Sequence, residues 1–173
     1  MMMRNKIYIF YGASATGKTT LVNYLSGLLD NDAYEFYNFD SIGIPAVDEM
    51  IKEYGSPTEW QKSKAREWIK KLVCTDTDKT IIFEGQMNPN FIRQAFADLN
   101  YENYRIILLD CVEEELVRRL VEERRQPELA NADMLNWRNY LRKDALEHST
   151  IIIDTTNESI ENTGSQVISK VLM

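Results

Sequence analysis

Short apolar runs alternate along the whole chain with segments whose apolar residues recur at helical spacing. The runs rich in Ile, Val, Phe and Tyr predict five strands, over residues 6–11, 34–39, 79–84, 104–109 and 149–153. Three of these runs, at 79–84, 104–109 and 149–153, are almost continuously apolar, which is typical of strands buried on both faces. The alternation therefore predicts an α/β fold, with a parallel sheet covered by helices on both sides.

The segments between these runs predict seven helices, over residues 18–29, 44–53, 57–73, 89–98, 112–125, 131–147 and 158–172. Ser56, Pro57 and Glu59 supply an N-cap, a first-turn proline and the acid of a capping box. Asp110 and Thr155 each precede a glutamate by three residues, so we expect them to cap the helices that follow. The chain shows no repeat or linker, and the pattern indicates one domain over residues 1–173.

The turn after the first predicted strand carries the most specific chemical signal. It fits the pattern G-x-x-x-x-G-K-[ST] between a strand and a helix, an arrangement that binds nucleotide phosphates. Glycine at positions 12 and 17 allows backbone angles that a Cβ forbids, so that successive N–H groups can point inward. We expect Lys18 to reach the β- and γ-phosphates and Thr19 to ligate Mg²⁺. The candidate nucleotide-binding residues of this region are Gly12, Ala13, Ser14, Ala15, Thr16, Gly17, Lys18, Thr19 and Thr20.

Polar residues follow the second and third predicted strands, and ligands of α/β sheets bind at the carboxyl ends of strands. Asp40 could accept the proton of an attacking hydroxyl or hold the acceptor, or it could simply be a loop or cap acid. Asn38 lies on the same face and could reach a metal-bound water. Glu84 could help to hold Mg²⁺, contact the acceptor or cap the next helix. The candidate acceptor-binding residues are Asp40, Glu84, Gly85, Gln86 and Asn88.

The helix predicted over residues 112–125 is densely charged. Its predicted core stripe consists of Leu116, Val117, Leu120 and Val121. Glutamate–arginine pairs four residues apart, Glu114–Arg118 and Glu115–Arg119, are expected on its surface. Arginines near its end precede a loop with a proline and could close over the phosphates. These candidates are Arg119, Arg124 and Arg125.

The C-terminal third offers weaker signals. Arg138 and Arg142 share one helix face and form either the base of a lid or a solvated surface. Thr155 follows the last strand and could lie near the nucleotide base or cap the last helix. His148 is expected at a helix end, where a positive charge is favourable.

Composition narrows the class of protein. The 173 residues are 44% hydrophobic and 27% charged, as in an ordinary globular domain, and the net charge of -7 argues against a broad nucleic-acid surface. Cys74 and Cys111 are expected to be reduced thiols. The sequence has no signal-peptide pattern and no apolar run near the ~20 residues of a membrane span. We therefore expect a cytoplasmic protein with no membrane partner.

These residues together resemble the small P-loop kinases of the nucleoside monophosphate kinase-like group, such as gluconate kinase, shikimate kinase, chloramphenicol phosphotransferase and zeta-toxin kinases. The resemblance spans nearly the whole chain and rests on residues 12–19, Asp40, 84–86, Arg119-Leu120 with Arg124, and 153–156. It implies a three-layer α/β/α P-loop NTPase fold whose five-stranded parallel sheet has the order 2-3-1-4-5. It further implies a small helical lid at about residues 118–138 and acceptor-side helices at about residues 44–73.

The activity that the resemblance implies is transfer of the ATP γ-phosphate to a hydroxyl of a small polar molecule, with Mg²⁺. The residues implied for catalysis are Lys18, Asp40 and Arg124, and those for the metal are Thr19 and Glu84. Arg119, Arg125 and Thr155 are implied in nucleotide binding.

The sequence also departs from individual members of the group. Asn38-Phe39-Asp40 stands where shikimate kinase-like members have Asp-x-Asp, so the metal-side acid is missing or is replaced by Glu84. The sequence 84–86 replaces the triple glycine of shikimate kinase, and gluconate kinase's histidine-bearing motifs have no counterpart. The lid region has no cysteine, which excludes a four-cysteine zinc lid of the adenylate kinase type.

Three classes of function remain after these exclusions. The first is a small-molecule kinase whose partners are a nucleotide and a small acceptor. The second is a kinase that acts on a nucleic-acid end, which the acidic net charge disfavours. The third is a P-loop ATPase or nucleotide-binding switch without an acceptor. Either a monomer or a homodimer is compatible with the sequence.

Overall fold

The strand Ile7–Tyr11 (β1) lies at the centre of a five-stranded parallel sheet, and all of its residues are buried. The computed structural model describes residues 5–173, so the first four residues of the predicted domain lie outside the described part. The other strands are β2 (Tyr34–Asn38), β3 (Thr80–Gly85), β4 (Tyr104–Asp110) and β5 (Ile151–Asp154). The strand order is β2-β3-β1-β4-β5 with every pair parallel, which confirms the predicted 2-3-1-4-5 sheet.

Within residues 5–173, seven α-helices connect or follow these strands. They are α1 (Lys18–Leu28), α2 (Val47–Tyr54), α3 (Pro57–Cys74), α4 (Pro89–Asp98), α5 (Glu113–Arg118), α6 (Ala132–Glu147) and α7 (Ile160–Val167). Ser56 caps α3 as predicted, because its hydroxyl accepts a 3.1 Å hydrogen bond from the Glu59 backbone N–H. Short 3₁₀ helices at Phe39–Ile42 and Pro127–Leu129 complete the connections.

Helices cover both faces of the sheet, which confirms the three-layer architecture. Residues of α1 and α7 pack with Tyr8 and Phe10 on one face, whereas residues of α3, α4 and α6 pack with Ile7 and Ile9 on the other. Trp60 and Trp68 both belong to this second core. Because side chains alternate along β1, its two faces supply two separate cores.

Several predicted boundaries and caps are wrong. The helix predicted from residue 44 begins at Val47, and the last helix begins at Ile160, where Ser159 is the cap. Asp110 and Thr155 therefore cap neither α5 nor α7; both are buried and make long-range contacts instead. Val121, expected in a core stripe, has 41% of its surface exposed.

The helix predicted over 112–125 changes geometry after Arg118. The π-helical turn Arg119–Glu123 continues α5, and a second one, Ile168–Leu172, continues α7. Residues 5–173 contain no helix that is long and apolar enough to span a bilayer.

Candidate active site

The loop between β1 and α1 depends on its two glycines for different reasons. A Cβ on Gly12 would lie 2.4 Å from the Leu109 carbonyl oxygen, so no larger residue fits beside β4. Gly17 has a φ of 96°, in the left-handed region that glycine adopts without strain. Gly17 precedes α1 without a side-chain cap, and the first turn of α1 has no acid. The α1 N-terminus is therefore open to an anionic ligand.

Lys18 is buried although it carries an ammonium group. Its Nζ donates a 2.8 Å hydrogen bond to the Ala13 carbonyl oxygen, across the loop. Burial lowers the pKa of Lys18 from 10.5 to about 8, against the opposing attraction of the Glu84 and Asp40 carboxylates. The loop thus holds a poorly solvated cation, which gains more from a phosphate oxygen than an exposed lysine does.

Thr19 and Glu84 are brought together at the junction of α1 and β3. The Thr19 hydroxyl donates a 2.9 Å hydrogen bond to Glu84 Oε1, and the Asn38 amide donates to the same oxygen. Glu84 is 2% exposed, and burial raises the pKa of its carboxyl group. The structure therefore places the three residues in one hydrogen-bonded chain from β2 to the phosphate loop.

This oxygen donor set fits the chemistry of Mg²⁺. Magnesium prefers oxygen ligands and takes one or two from protein, with phosphates and waters completing the octahedron. A hydroxyl and one carboxylate at the phosphate loop meet that requirement. Residues 5–173 hold no cluster of three or more His, Cys, Asp or Glu residues that could bind a metal without a substrate.

Asp40 lies on an exposed turn beside this chain. Its backbone N–H donates a 2.7 Å hydrogen bond to Asn38 Oδ1, and its carbonyl oxygen accepts one of 3.0 Å from Gly43. The negative charge of Asp40 also raises the pKa of Lys18, although the opposing effect of burial is larger. The Asp40 carboxylate therefore lies close enough to the loop to interact with Lys18. The backbone of Asp40 is therefore held at both ends while its side chain remains accessible to a ligand.

The Gln61 side chain holds the segment after β3, although no sequence motif marks this residue. The Gln61 side chain of α3 donates to the Gln86 carbonyl oxygen at 3.3 Å and accepts from the Asn88 N–H at 3.0 Å. Asn88 caps α4 through the Asn90 N–H, at 3.0 Å. Gly85 is needed because a Cβ there would lie 2.5 Å from Phe39 Cβ. No helical pattern distinguishes Gln61 from a surface glutamine, so only the fold identifies its role.

Arg119 and Thr155 lock the end of β5 to the phosphate loop. The Arg119 guanidinium donates to Thr155 Oγ1 at 2.9 Å and to the Thr155 carbonyl oxygen at 2.6 Å. The Thr155 hydroxyl in turn donates to the Thr16 carbonyl oxygen at 3.1 Å. Glu115 accepts a 2.7 Å hydrogen bond from the same arginine. Thr155 thus supports the loop from behind instead of capping a helix.

A π-helical turn sets the direction of Arg124. The Arg124 N–H donates to the Arg119 carbonyl oxygen, five residues back, at 2.9 Å. In an α-helix residues five apart point about 140° away from each other, and the wider π-turn reduces this angle. Arg124 donates a 2.7 Å hydrogen bond to Ser14 Oγ, and Arg119 donates to the Ala15 carbonyl oxygen at 3.4 Å, so both arginines reach the phosphate loop. The neighbouring Arg125 is exposed, with a φ of 55°.

The remaining arginines of this region form ion pairs. Arg138 donates to both Asp110 oxygens, at 2.8 and 3.0 Å, and Arg142 donates to one at 2.6 Å. Asp110 is 2% exposed, so these pairs fasten α6 to the end of β4. Arg118 pairs with Glu115, Glu122 and Glu123 instead of the predicted Glu114. His148 lies at the C-terminus of α6 as expected, and both Cys74 and Cys111 are free thiols.

A cavity of about 480 Å³ joins the loop to the arginines. Its walls include the loop residues 15–20, Arg119, Arg124 and Thr155. Residues from three distant parts of the sequence therefore meet in this cavity: the loop between β1 and α1, α5 with its π-turn, and the segment after β5. Glu84 and Asp40 lie outside its walls.

Comparison with known proteins supports the fold through structure alone. No protein-family model matches the sequence, and no curated protein matches it significantly. The shikimate kinase of Acinetobacter baumannii, solved in complex with shikimate, is 16% identical, with a TM-score of 0.65 over 99% of this chain and 94% of that one. A gluconokinase from Sinorhizobium meliloti is 13% identical, with a TM-score of 0.67 over 96% and 90% of the two chains.

The tunicamycin resistance protein of Deinococcus radiodurans resembles this chain about as closely as the two kinases do. It is 15% identical, with a TM-score of 0.67 over 97% of this chain and 96% of that one. These structures share the P-loop fold of the nucleoside monophosphate kinase-like group. The present chain therefore has the fold of that group, as its motifs predicted.

Proposed function

We propose that the protein is an ATP-dependent phosphotransferase that moves the γ-phosphate to a hydroxyl of a small polar molecule. The observation that carries this proposal is the meeting of Lys18, Thr19 and Glu84 at an open helix N-terminus. Arg119 and Arg124 face the same loop from the opposite side. Such a combination of backbone amides, fixed cations and a carboxylate suits a nucleoside triphosphate.

Each part of the proposed site has a separate role. Backbone N–H groups of residues 12–20 bind the phosphate chain, and Lys18 neutralises charge on its terminal oxygens. Thr19 and Glu84 would hold Mg²⁺, which when bound draws negative charge from the phosphate oxygens. Thr155, which lines the cavity, and the exposed Arg125 are proposed to act on the nucleotide side of the site.

Asp40 is the proposed base, and Arg124 the proposed transition-state cation. Asp40 accepts the proton of the acceptor hydroxyl while the new oxygen–phosphorus bond forms. The bond from the γ-phosphorus to the bridging oxygen breaks, and ADP leaves with that electron pair. Arg124, aided by Arg119, stabilises the charge on the transferring group.

The acceptor is proposed to bind between β2, β3 and the lid. Gly85 lets Phe39 pack closely against the end of β3, and Gln86 and Asn88 contribute polar atoms near the acceptor hydroxyl. The side-chain oxygen of Asn88 caps α4, so its side-chain NH₂ group remains to bind the ligand. We further propose that residues 118–138 act as a lid and residues 44–73 as the acceptor-side segment of one domain.

Two measurements test the proposal. Calorimetry with Mg²⁺ should detect binding of a non-hydrolysable ATP analogue to the wild type and not to Lys18→Ala. ATP turnover should then be screened with sugars, nucleosides, cyclic hydroxy acids and aminoglycosides, with RNA ends as a further class. Asp40→Asn should lower kcat about 10²–10⁴-fold with little change in nucleotide affinity. Asp76→Asn, an exposed acid between α3 and β3, is the matched control.

The outcomes separate the three classes of function. Stimulation by one small hydroxyl compound supports the proposal. Stimulation by RNA ends alone supports a nucleic-acid kinase, and hydrolysis that no compound stimulates supports an ATPase or switch. Absence of nucleotide binding in folded wild-type protein would contradict all three.

A further inference from the structure

A group of exposed aliphatic side chains lies directly after Asp40. Ile42, Ile44, Val47 and Ile51 are 47%, 54%, 57% and 50% exposed. One exposed aliphatic residue is ordinary, whereas a contiguous exposed apolar patch marks an interaction or ligand-binding site. This group, called here the 42–51 patch, lies in the segment proposed to receive the acceptor.

Part of the 42–51 patch forms the wall of a pocket. Residues 42–45 enclose a volume of about 500 Å³ together with Tyr54 and Trp60. Ligand pockets commonly hold about 300–1,000 Å³ and are mostly apolar with a few polar groups at the edge. At this edge Lys64 is paired with Glu67 at 2.9 Å and lies 5.6 Å from the centre of the Tyr54 ring. The apolar part of the wall consists of Ile42, Ile44, Pro45, Tyr54 and Trp60, and Glu53 adds a carboxylate at the edge.

The pocket is connected to Asp40 by one short, rigid turn. Ile42 ends the 3₁₀ helix Phe39–Ile42 that contains Asp40, and the Gly43 N–H donates to the Asp40 carbonyl oxygen at 3.0 Å. The buried Phe39 ring packs edge-on against Trp60, with ring centres 5.9 Å apart. A ligand held against Ile42 and Trp60 is thus next to the turn that presents the Asp40 carboxylate.

We propose that the phosphoryl acceptor carries an apolar group beside its reactive hydroxyl, and that this group binds in the pocket at residues 42–45. This inference rests on the proposed function. A second copy of the chain is a poorer occupant, since a stable interface needs about 800 Å² from each partner, more than four half-exposed aliphatic side chains supply. The pocket is concave and its size suits part of a small molecule.

A matched pair of alcohols tests the inference on the full chain. Glycerol and its monophenyl ether share a vicinal diol, are uncharged, and differ by one aromatic ring. Each is titrated, by calorimetry, into protein saturated with Mg²⁺ and a non-hydrolysable ATP analogue. We expect the ether to bind at least about tenfold more tightly than glycerol, because its ring leaves water. Equal binding of the two alcohols would overturn the inference.

Variants at the pocket wall locate the ring. Ile44→Asp should lose the tenfold advantage, and Ile42→Ser, a milder change, should reduce it. Leu146→Asp, which alters a side chain 64% exposed on α6, is the matched control and should keep it. An advantage that survives in both pocket variants, or that Leu146→Asp also removes, contradicts the assignment.

Two further outcomes are distinguishable in the same samples. If sedimentation shows a wild-type dimer that Ile44→Asp dissociates, a second copy covers the patch and the inference fails. If the ATP analogue does not bind, the proposed function fails and this inference with it. If the analogue binds while the two alcohols behave alike, only the inference fails.

Discussion

The Thr19 hydroxyl donates a 2.9 Å hydrogen bond to Glu84 across 65 residues of sequence, and this contact joins the phosphate loop to the end of β3. The Asn38 amide donates to the same carboxylate oxygen from β2. Three neighbouring segments of the sheet edge therefore set the position of one buried acid. The carboxylate is oriented before any ligand arrives, which reduces the entropy lost on binding.

Glu84→Gln should weaken the response to magnesium more than the binding of nucleotide alone. The amide keeps the size of the side chain but loses the charge that a divalent cation needs. We expect the Mg²⁺ concentration for half-maximal binding of an ATP analogue to rise about 10–100-fold. Calorimetry at a series of Mg²⁺ concentrations measures this shift, with Glu147→Gln, at an exposed position of α6, as the control. An unchanged Mg²⁺ requirement would remove Glu84 from the metal site.

Lys18→Met should stabilise the protein in the absence of nucleotide and magnesium. Burial lowers the Lys18 pKa from 10.5 to about 8, so the folded chain binds fewer protons than the unfolded chain between those values. Wild-type stability therefore rises with pH over that window, and the cost of the buried charge is fully present below pH 8. The variant should gain about 1–3 kcal/mol at pH 7, since one pKa unit corresponds to about 1.4 kcal/mol.

Urea unfolding at pH 7, 8.5 and 10 measures this effect. The advantage of Lys18→Met should shrink as pH rises, because the wild-type ammonium then loses its charge. Lys143→Met, at a side chain 76% exposed, should show no such trend. A variant less stable than the wild type at pH 7 would show that the hydrogen bond to Ala13 outweighs the burial of the charge.

Gly85→Ala should damage both stability and the position of Asp40. The new Cβ would lie 2.5 Å from Phe39 Cβ, and the preceding strand leaves little room to move. Overpacking of this kind costs about 1–3 kcal/mol. Gly27→Ala is the matched control, because nothing lies within 4 Å of its Cβ position and alanine favours a helix. In thermal unfolding, the melting temperature of Gly85→Ala should fall below that of the wild type and that of Gly27→Ala should rise above it. Equal melting temperatures of the two variants would refute the close contact at Gly85.

Arg124→Gln should reduce turnover while leaving the fold intact. Its guanidinium contacts Ser14 of the phosphate loop and is otherwise exposed, so the loss concerns charge at the site. Removing one preorganised donor costs about 10²–10³-fold in kcat. Steady-state kinetics with the acceptor found in the screen measures the effect. Arg105→Gln, at an exposed position near the start of β4, should retain the wild-type rate. A wild-type kcat in Arg124→Gln would exclude it from catalysis.

The two thiols should react at very different rates. Cys74 is exposed, whereas burial raises the pKa of Cys111 to about 11. Because the thiolate is the reactive form, Cys111 should resist a disulfide reagent at pH 8 and react only on unfolding. One thiol should titrate in the native protein and two in urea, and Cys74→Ser should leave none in the native state. Rapid native reaction of Cys74→Ser would show that Cys111 is accessible.

Local pattern was sufficient for much of the architecture. Apolar runs predicted all five strands, and the loop at residues 12–19 was recognisable because its glycines and its lysine are neighbours in sequence. The caps were less predictable: Ser56 caps α3, but Asp110, with the same spacing, is drawn into ion pairs with Arg138 and Arg142. A capping pattern reflects only contacts within the first turn of a helix. At Asp110, ion pairs with Arg138 and Arg142, which are distant in sequence, form instead of the cap.

By itself the sequence determined the succession of strands and helices along the chain and the position of the phosphate-binding turn. Both follow from residues that are close together in sequence. Only the tertiary structure decided that Gln61 holds the Gln86–Asn88 backbone and that Arg119 and Arg124 both contact the phosphate loop. It also decided that Thr155 supports the loop. These contacts depend on the packing of segments far apart in sequence, and a hydrogen bond is lost with a displacement of about an ångström that no local pattern specifies.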